Sequence, residues 1–366
     1  MRLGVEAAVV DGELVPGDVE LSDDGTLAGY GLASANGRGV AAPGFVDLQV
    51  NGFGGVDLLE ADTDGYRRAG EALLETGVTS YLPTFISAPE DDLVAALAAV
   101  PVIAEGPRIL GVHLEGPFLA PSRLGTHPPE ARRDPDPALL ERLLAAGPIR
   151  LVTLAPELAG ADALIELLHD HGITVSCGHT NATAEEAEAA FELGVRTVTH
   201  LFNAMRPFRH RDPGIAGAAL ARDDVIVQII LDGVHLAPET ARIVWRAATG
   251  RLALVTDAFA GAGTGMSNGS YSLGSLEVTF RDGVVRGPDG VLAGSMLTMI
   301  DAVRNLHALG VPLAQALEAA STVPARVVGI STVGRLDAGL PADVVVLDDN
   351  LRIDRVFVGG EARVVA

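Results

Sequence analysis

Eight short apolar runs, each followed by a stretch with helical spacing, constrain this chain more than any other feature of its sequence. The runs cover residues 44–50, 78–85, 109–115, 150–155, 173–178, 197–202, 225–231 and 252–257. Their near-continuous apolar character fits parallel strands covered on both faces. Strands alternating with Ala/Leu/Glu-rich helices over roughly 250 residues are what a TIM-type barrel requires. A doubly wound open sheet is the rival, but no G-x-G-x-x-G follows the first run. The polar residues decide between them. Nearly every run closes on a side chain capable of chemistry: Asp47 and Gln49, Thr84, Glu115, Glu157, His179, His200, Asp232 with His235, and Asp257. In a barrel these ends converge on one face, where active sites sit. The expected fold is α/β, a (β/α)₈ barrel.

The two ends of the chain have a different texture. Up to residue 42, apolar and polar residues alternate between turn signals at Asp11-Gly12, Pro16-Gly17 and Asp24-Gly25. The last segment repeats the pattern, with Ala342-Asp343-Val344-Val345-Val346-Leu347 and Val356-Phe357-Val358-Gly359-Gly360. Such stretches read as short antiparallel strands. We expect residues 1–42 and 334–366 to pair into one small β-sandwich domain, with the barrel at 43–333.

With 48% hydrophobic and 20% charged residues, the chain can bury a sizeable interior. No run approaches the ~20 apolar residues that a membrane span needs, and the N-terminus lacks the pattern of a secretory signal. Cys177 is the single cysteine, so no intramolecular disulfide forms and a cytoplasmic location is expected. A formal charge of −22 argues against nucleic acid or anionic membrane as a partner. An anionic substrate would have to be held by a few local cations. Every cationic residue is Arg, which excludes Schiff-base and carbamylated-lysine chemistry.

Glu115 closes an apolar run, where an unpaired carboxylate carries a large burial cost. Either backbone or an arginine satisfies it at the barrel rim, or a divalent cation does. His179 and His200 end the fifth and sixth runs. One strand histidine alone is usually structural, but two on adjacent barrel strands beside Glu115 point to metal. A His₂Glu set with an open fourth position is of the catalytic zinc type and brings the pKa of bound water to about 7. His113, on the same strand as Glu115, reads as a core or neighbouring histidine, and Cys177 as buried. Asp257 ends the eighth run, either as a cap or as the carboxylate that moves protons. His235 is a candidate for oxyanion or substrate contact.

These motifs resemble those of the N-acetylglucosamine-6-phosphate deacetylases within the amidohydrolase superfamily. The similarity runs from Pro43-Gly44-Phe45-Val46-Asp47-Leu48-Gln49-Val50-Asn51-Gly52 through His113-Leu114-Glu115-Gly116-Pro117-Phe118 and Gly178-His179-Thr180-Asn181-Ala182. It continues through Thr199-His200-Leu201-Phe202-Asn203-Ala204-Met205, Asp232-Gly233-Val234-His235 and Leu292-Ala293-Gly294-Ser295. The resemblance implies Glu115, His179 and His200 as metal ligands, Asp257 as general base then acid, and His235 polarising the acetyl carbonyl. It implies sugar-phosphate contacts from Thr126, His127, Asn203, Ala204, Arg211, Leu292, Ala293, Gly294 and Ser295, and a homodimer in which Arg211 serves the neighbouring site. Read from the residues, Arg206, Arg209 and Arg211 form a cationic cluster suited to an anionic group. Many relatives carry His-x-His at the first strand and hold a second metal there. Here Gln49 replaces it, so we expect one divalent ion per chain, most plausibly zinc, with Gln49 as a hydrogen-bonding neighbour.

Overall fold

A computed structural model describes residues 1–365 except 35, 104, 266–267, 274–275 and 289. Its centre is a parallel barrel. Strands Phe45–Val50, Val78–Phe85, Val112–Glu115, Ile149–Leu154, Thr174–Cys177, Thr197–Val198, Ile226–Ile229 and Leu252–Leu254 follow one another in ring order. A parallel bridge between Val50 and Ala258 brings the first and eighth strands together. The strand residues are almost all buried, because side chains fill the barrel inside while helices cover it outside. Local chemistry starts those helices. Asp62 caps Thr63–Leu74, Asp136 caps Pro137–Ala146 with proline at the first position, and Thr183 with Glu186 forms a capping box on Ala184–Glu192.

Several strands end sooner than their apolar runs do. The sixth spans only Thr197–Val198, although its apolar run reaches residue 202. His200 and Phe202 have φ of 29° and 75°, and His179 and Asp257 likewise have φ of 48° and 49° just beyond the fifth and eighth strands. Left-handed backbone breaks the ladder, and hydrophobicity carries no signal of it. The third run also splits at Gly111, where a Cβ would lie 2.7 Å from Arg150 Cβ and φ is 127°.

The chain ends share one six-stranded sheet. Val40–Pro43, immediately before the first barrel strand, pairs antiparallel with Val344–Leu347. The hairpin Asp18–Leu21/Leu27–Leu32 packs against this sheet around Leu3, Val5, Val19, Leu21, Val344 and Phe357. Both ends therefore build a separate β domain, as the alternating texture predicts.

One feature lies outside that expectation. After the eighth strand, Gly269–Leu273, Leu276–Arg281 and Val284–Arg286 form a three-stranded antiparallel sheet. Asp282 and Gly283, both at positive φ, make the hairpin turn. The insert packs on Ile86 and Phe259 through Leu273, Val278 and Val285. Among the described residues, no helix is long and apolar enough to cross a membrane.

Candidate active site

The turns at the strand ends aim three side chains at one point. Glu115 Oε1 lies 3.2 Å from His179 Nε2 and 3.0 Å from His200 Nε2, and the two Nε2 atoms are 3.1 Å apart. All three residues are buried. His179 Nδ1 donates to the Arg123 carbonyl at 2.9 Å, so its Nε2 presents a lone pair to a carboxylate oxygen. Two acceptors facing each other repel unless a proton or a cation sits between them. One carboxylate and two imidazoles are a donor set suited to a divalent transition metal, and among the described residues this is the one such cluster.

The surrounding residues fix this geometry. Glu157, beyond the fourth strand, accepts from Thr180 Oγ1 and Asn181 N at 2.5 Å each and so holds the turn that carries His179. Gln49 Nε2 donates to Glu115 Oε1 at 3.0 Å. Burial pushes the Glu115 carboxyl upward, but hydrogen bonding to His127, His179 and His200 outweighs it and holds the group well below the usual range. His113 stands outside the cluster. Its Nδ1 donates to the Leu48 carbonyl at 3.1 Å, and its Nε2 accepts from Thr153 in a hydroxyl chain through Thr199 to Ser176. Cys177 is a buried free thiol whose pKa burial pushes well upward.

Above the cluster is a cavity of about 240 Å³ lined by Glu115, His179, His200, Asp257, His235, Thr126, His127, Asn203, Ala204, Leu292 and Gly294. Sequence reading had named all of these. It assigns no role to Asn51, Gly125, Ile86, Ile230, Leu273 or Val291, which line the same cavity. The last two flank or belong to the inserted sheet, whose register no strand–helix pattern announces. Asp257 Oδ1 accepts from Asn51 Nδ2 at 2.8 Å. Burial pushes the Asp257 carboxyl up to about 8, with the charges of Glu115 and Asp47 adding to the shift. A cation at the three-residue cluster would oppose that shift.

Two histidines at the rim differ in what they can donate. His127 Nδ1 accepts from Ser87 N at 3.1 Å, so its Nε2 carries the proton of the neutral ring. Burial and the neighbouring His179 depress its pKa to about 4. His235 Nδ1 donates to Asp232 Oδ2 at 2.8 Å, so its Nε2 donates only when the ring is cationic.

Three sequence candidates lie elsewhere. Ala293 and Ser295 are buried behind the cavity wall, and Ser295 is bonded to the Thr256 carbonyl through Oγ and to the Asp257 carbonyl through its N–H. Arg211 is exposed on a turn and does not line the cavity. Within its cluster, Arg206 is already paired with Asp212 at 2.8 Å. Among the described residues no arginine reaches the cavity.

Comparison with known proteins agrees over nearly the whole chain. The pattern of the amidohydrolase family matches residues 40–363. The N-acetylglucosamine-6-phosphate deacetylase of Mus musculus is 42% identical over 342 residues, covering 88% of this chain and 83% of that one. The N-acetylgalactosamine-6-phosphate deacetylase of Escherichia coli is 37% identical, covering 87% of this chain and 86% of its own. Among solved structures, a mutant N-acetyl-D-glucosamine-6-phosphate deacetylase from Mycobacterium smegmatis, in complex with N-acetyl-D-glucosamine-6-phosphate, superposes with a TM-score of 0.94. It is 37% identical, and the match covers 100% of this chain and 99% of that one.

Proposed function

The chain belongs to the amidohydrolase family, and we propose that it hydrolyses the acetamide of N-acetyl-D-glucosamine 6-phosphate to D-glucosamine 6-phosphate and acetate. The observation that carries this reading is Glu115, His179 and His200 converging in one buried cavity with Asp257. A divalent cation held by those three residues supplies Lewis acidity, polarising a carbonyl and making water acidic enough to deprotonate near neutral pH. We take it to be a single ion, zinc by donor type.

The chain's own groups do the rest. Asp257 takes a proton from the attacking water as the new C–O bond forms. It returns that proton to the nitrogen as the C–N bond breaks, leaving free amine and carboxylate. Asn51 holds one Asp257 oxygen, which leaves the other for the transfer. The carbonyl oxygen has two donors to choose from. His235 was the sequence candidate. His127 is the second, its neutral ring carrying the proton on Nε2, which lies 3.7 Å from Glu115 Oε2. Thr126, Asn203, Ala204, Leu292 and Gly294 contact the sugar phosphate. For Arg211, exposed on its turn, we take the role that the resemblance implies: it clamps phosphate in the neighbouring subunit of a homodimer. The working domain division is 1–42 plus 334–366 against 43–333, and the site of action is the cytoplasm.

The similarity to an N-acetylgalactosamine-6-phosphate deacetylase keeps the C4 epimer as a second substrate reading. Acetate release should be measured on both 6-phosphates and on unphosphorylated N-acetylglucosamine. Turnover confined to the 6-phosphates supports the proposal and ranks the epimers. No acetate from any of them, with metal supplied, removes it.

A further inference from the structure

Residues 120–127 form neither helix nor strand, yet Gly125, Thr126 and His127 line the catalytic cavity. This strap is tied at three points to the turn that carries His179. Ala120 N donates to the His179 carbonyl at 3.0 Å, and His179 Nδ1 donates to the Arg123 carbonyl at 2.9 Å. The Arg123 guanidinium then donates through Nε and Nη2 to Asn181 Oδ1 at 3.1 and 2.8 Å. Asn181 is itself held, because its N–H is bonded to Glu157. In the first two ties the strap contributes backbone, which any residue supplies. The third depends on one side chain. In a protein of net charge −22 an arginine has many carboxylates to pair with, and this one holds an amide two residues past His179.

An irregular segment has no ladder of its own, and fixing it costs conformational entropy. This one serves two ligands at once. Its carbonyl at residue 123 orients the His179 ring, as neighbours of metal-binding imidazoles do, and its 125–127 end faces the substrate. Were the strap loose, metal and sugar phosphate would each have to order it, and the second to bind would find it already ordered. We propose that Arg123 is a positioning residue: its grip on Asn181 orders the strap before either ligand arrives, so that metal and sugar phosphate meet one preformed site. This rests on the assignment of His179 and of the substrate class above.

The test is zinc affinity, by competition with a chromogenic chelator, with and without D-glucosamine 6-phosphate. Arg123→Ala keeps a carbonyl at residue 123 but should bind zinc alone about tenfold more weakly, the usual scale for one hydrogen bond from a charged donor. Saturating sugar phosphate should recover most of that loss, because it orders the strap first. By reciprocity, zinc should raise the variant's affinity for the sugar phosphate by the same extra factor. Asn181→Ala should behave alike, and the double variant should lose no more than either single one. Asn181→Asp keeps an acceptor for the guanidinium and should match wild type. Melting temperatures report on the fold of each variant. A merely local packing defect would weaken zinc equally with and without the sugar phosphate. That result, an unchanged zinc affinity, or additive losses in the double variant overturns the assignment, while the deacetylase reading stands on wild-type acetate release. Wild type that fails to bind zinc or the sugar phosphate overturns both.

Discussion

His179 and His200 face each other nitrogen to nitrogen, with Nε2 atoms 3.1 Å apart and ring planes at 74°. Both rings aim at the same oxygen of Glu115. These three side chains form one ligand set, on which the proposed single ion rests. Dialysed protein should carry close to one divalent ion per chain by elemental analysis. Gln49→Ala should keep that ion, since Gln49 meets the cluster through its N–H on Glu115 and an amide is a weak ligand. A reproducible second equivalent, lost with activity in Gln49→Ala, would show that the first strand binds metal.

Asp257→Asn preserves shape and removes the proton acceptor. It should retain metal and lower kcat by ~10²–10⁴-fold, the usual share of a general acid–base group. Steady-state kinetics on metal-loaded variant decides the matter, and near-normal kcat would sink the assignment.

Arg211→Ala should raise KM for the 6-phosphate sharply and barely change turnover of the unphosphorylated sugar. Because Arg211 is exposed and does not line its own cavity, mixing this variant with an inactive Asp257→Asn chain should restore part of the phosphate-dependent activity in hybrid dimers. Equal losses on both sugars would remove the phosphate-clamp role.

His113 makes a pH prediction. In the unfolded chain it titrates near the ordinary histidine value, about 6.5, whereas burial depresses it to about 4 in the folded protein. Between those values the unfolded state holds the extra proton, so this contribution grows as pH rises and is lost as pH falls through the window. Urea unfolding of chelator-treated wild type and His113→Gln should therefore converge on acidification from pH 6.5 toward 4. The convergence should reach up to ~3 kcal/mol, from about 1.4 kcal/mol per unit. Parallel stability curves would show that the imidazole stays protonated in the fold.

Much of this was legible in the sequence, and the rest was hidden for identifiable reasons. Period and apolarity place the barrel strands, and polar residues at their ends place Glu115, His179, His200 and Asp257 on one rim. The alternating chain ends announce a sheet. What the pattern misses is backbone. His179, His200 and Asp257 sit in left-handed turns, not on the strands, and only the turn aims their side chains. Asn51 closes the stretch Asp47-Leu48-Gln49-Val50-Asn51, which the sequence shows only as amides without a metal-binding histidine, and its bond to Asp257 joins residues 206 positions apart. Ser295 was read as touching substrate from its motif, yet its hydroxyl is turned to the Thr256 carbonyl. The alternation and Asp282-Gly283 turn of the inserted sheet are visible, but they follow the last barrel strand, where no strand–helix rhythm gives them a place.

The pairing of Val40–Pro43 with Val344–Leu347 has a consequence for how the protein is made. The strand leading into the barrel waits for one of its partners, which is synthesised only about 300 residues later. Synthesis at roughly 5–20 residues per second leaves that edge open for tens of seconds, a template for any strand that reaches it first. The nascent chain therefore needs the edge of Val40–Pro43 shielded until Val344–Leu347 leaves the ribosome. A message cut shortly before residue 344 would yield every barrel strand and Glu115, His179, His200 and Asp257 in a product prone to aggregate.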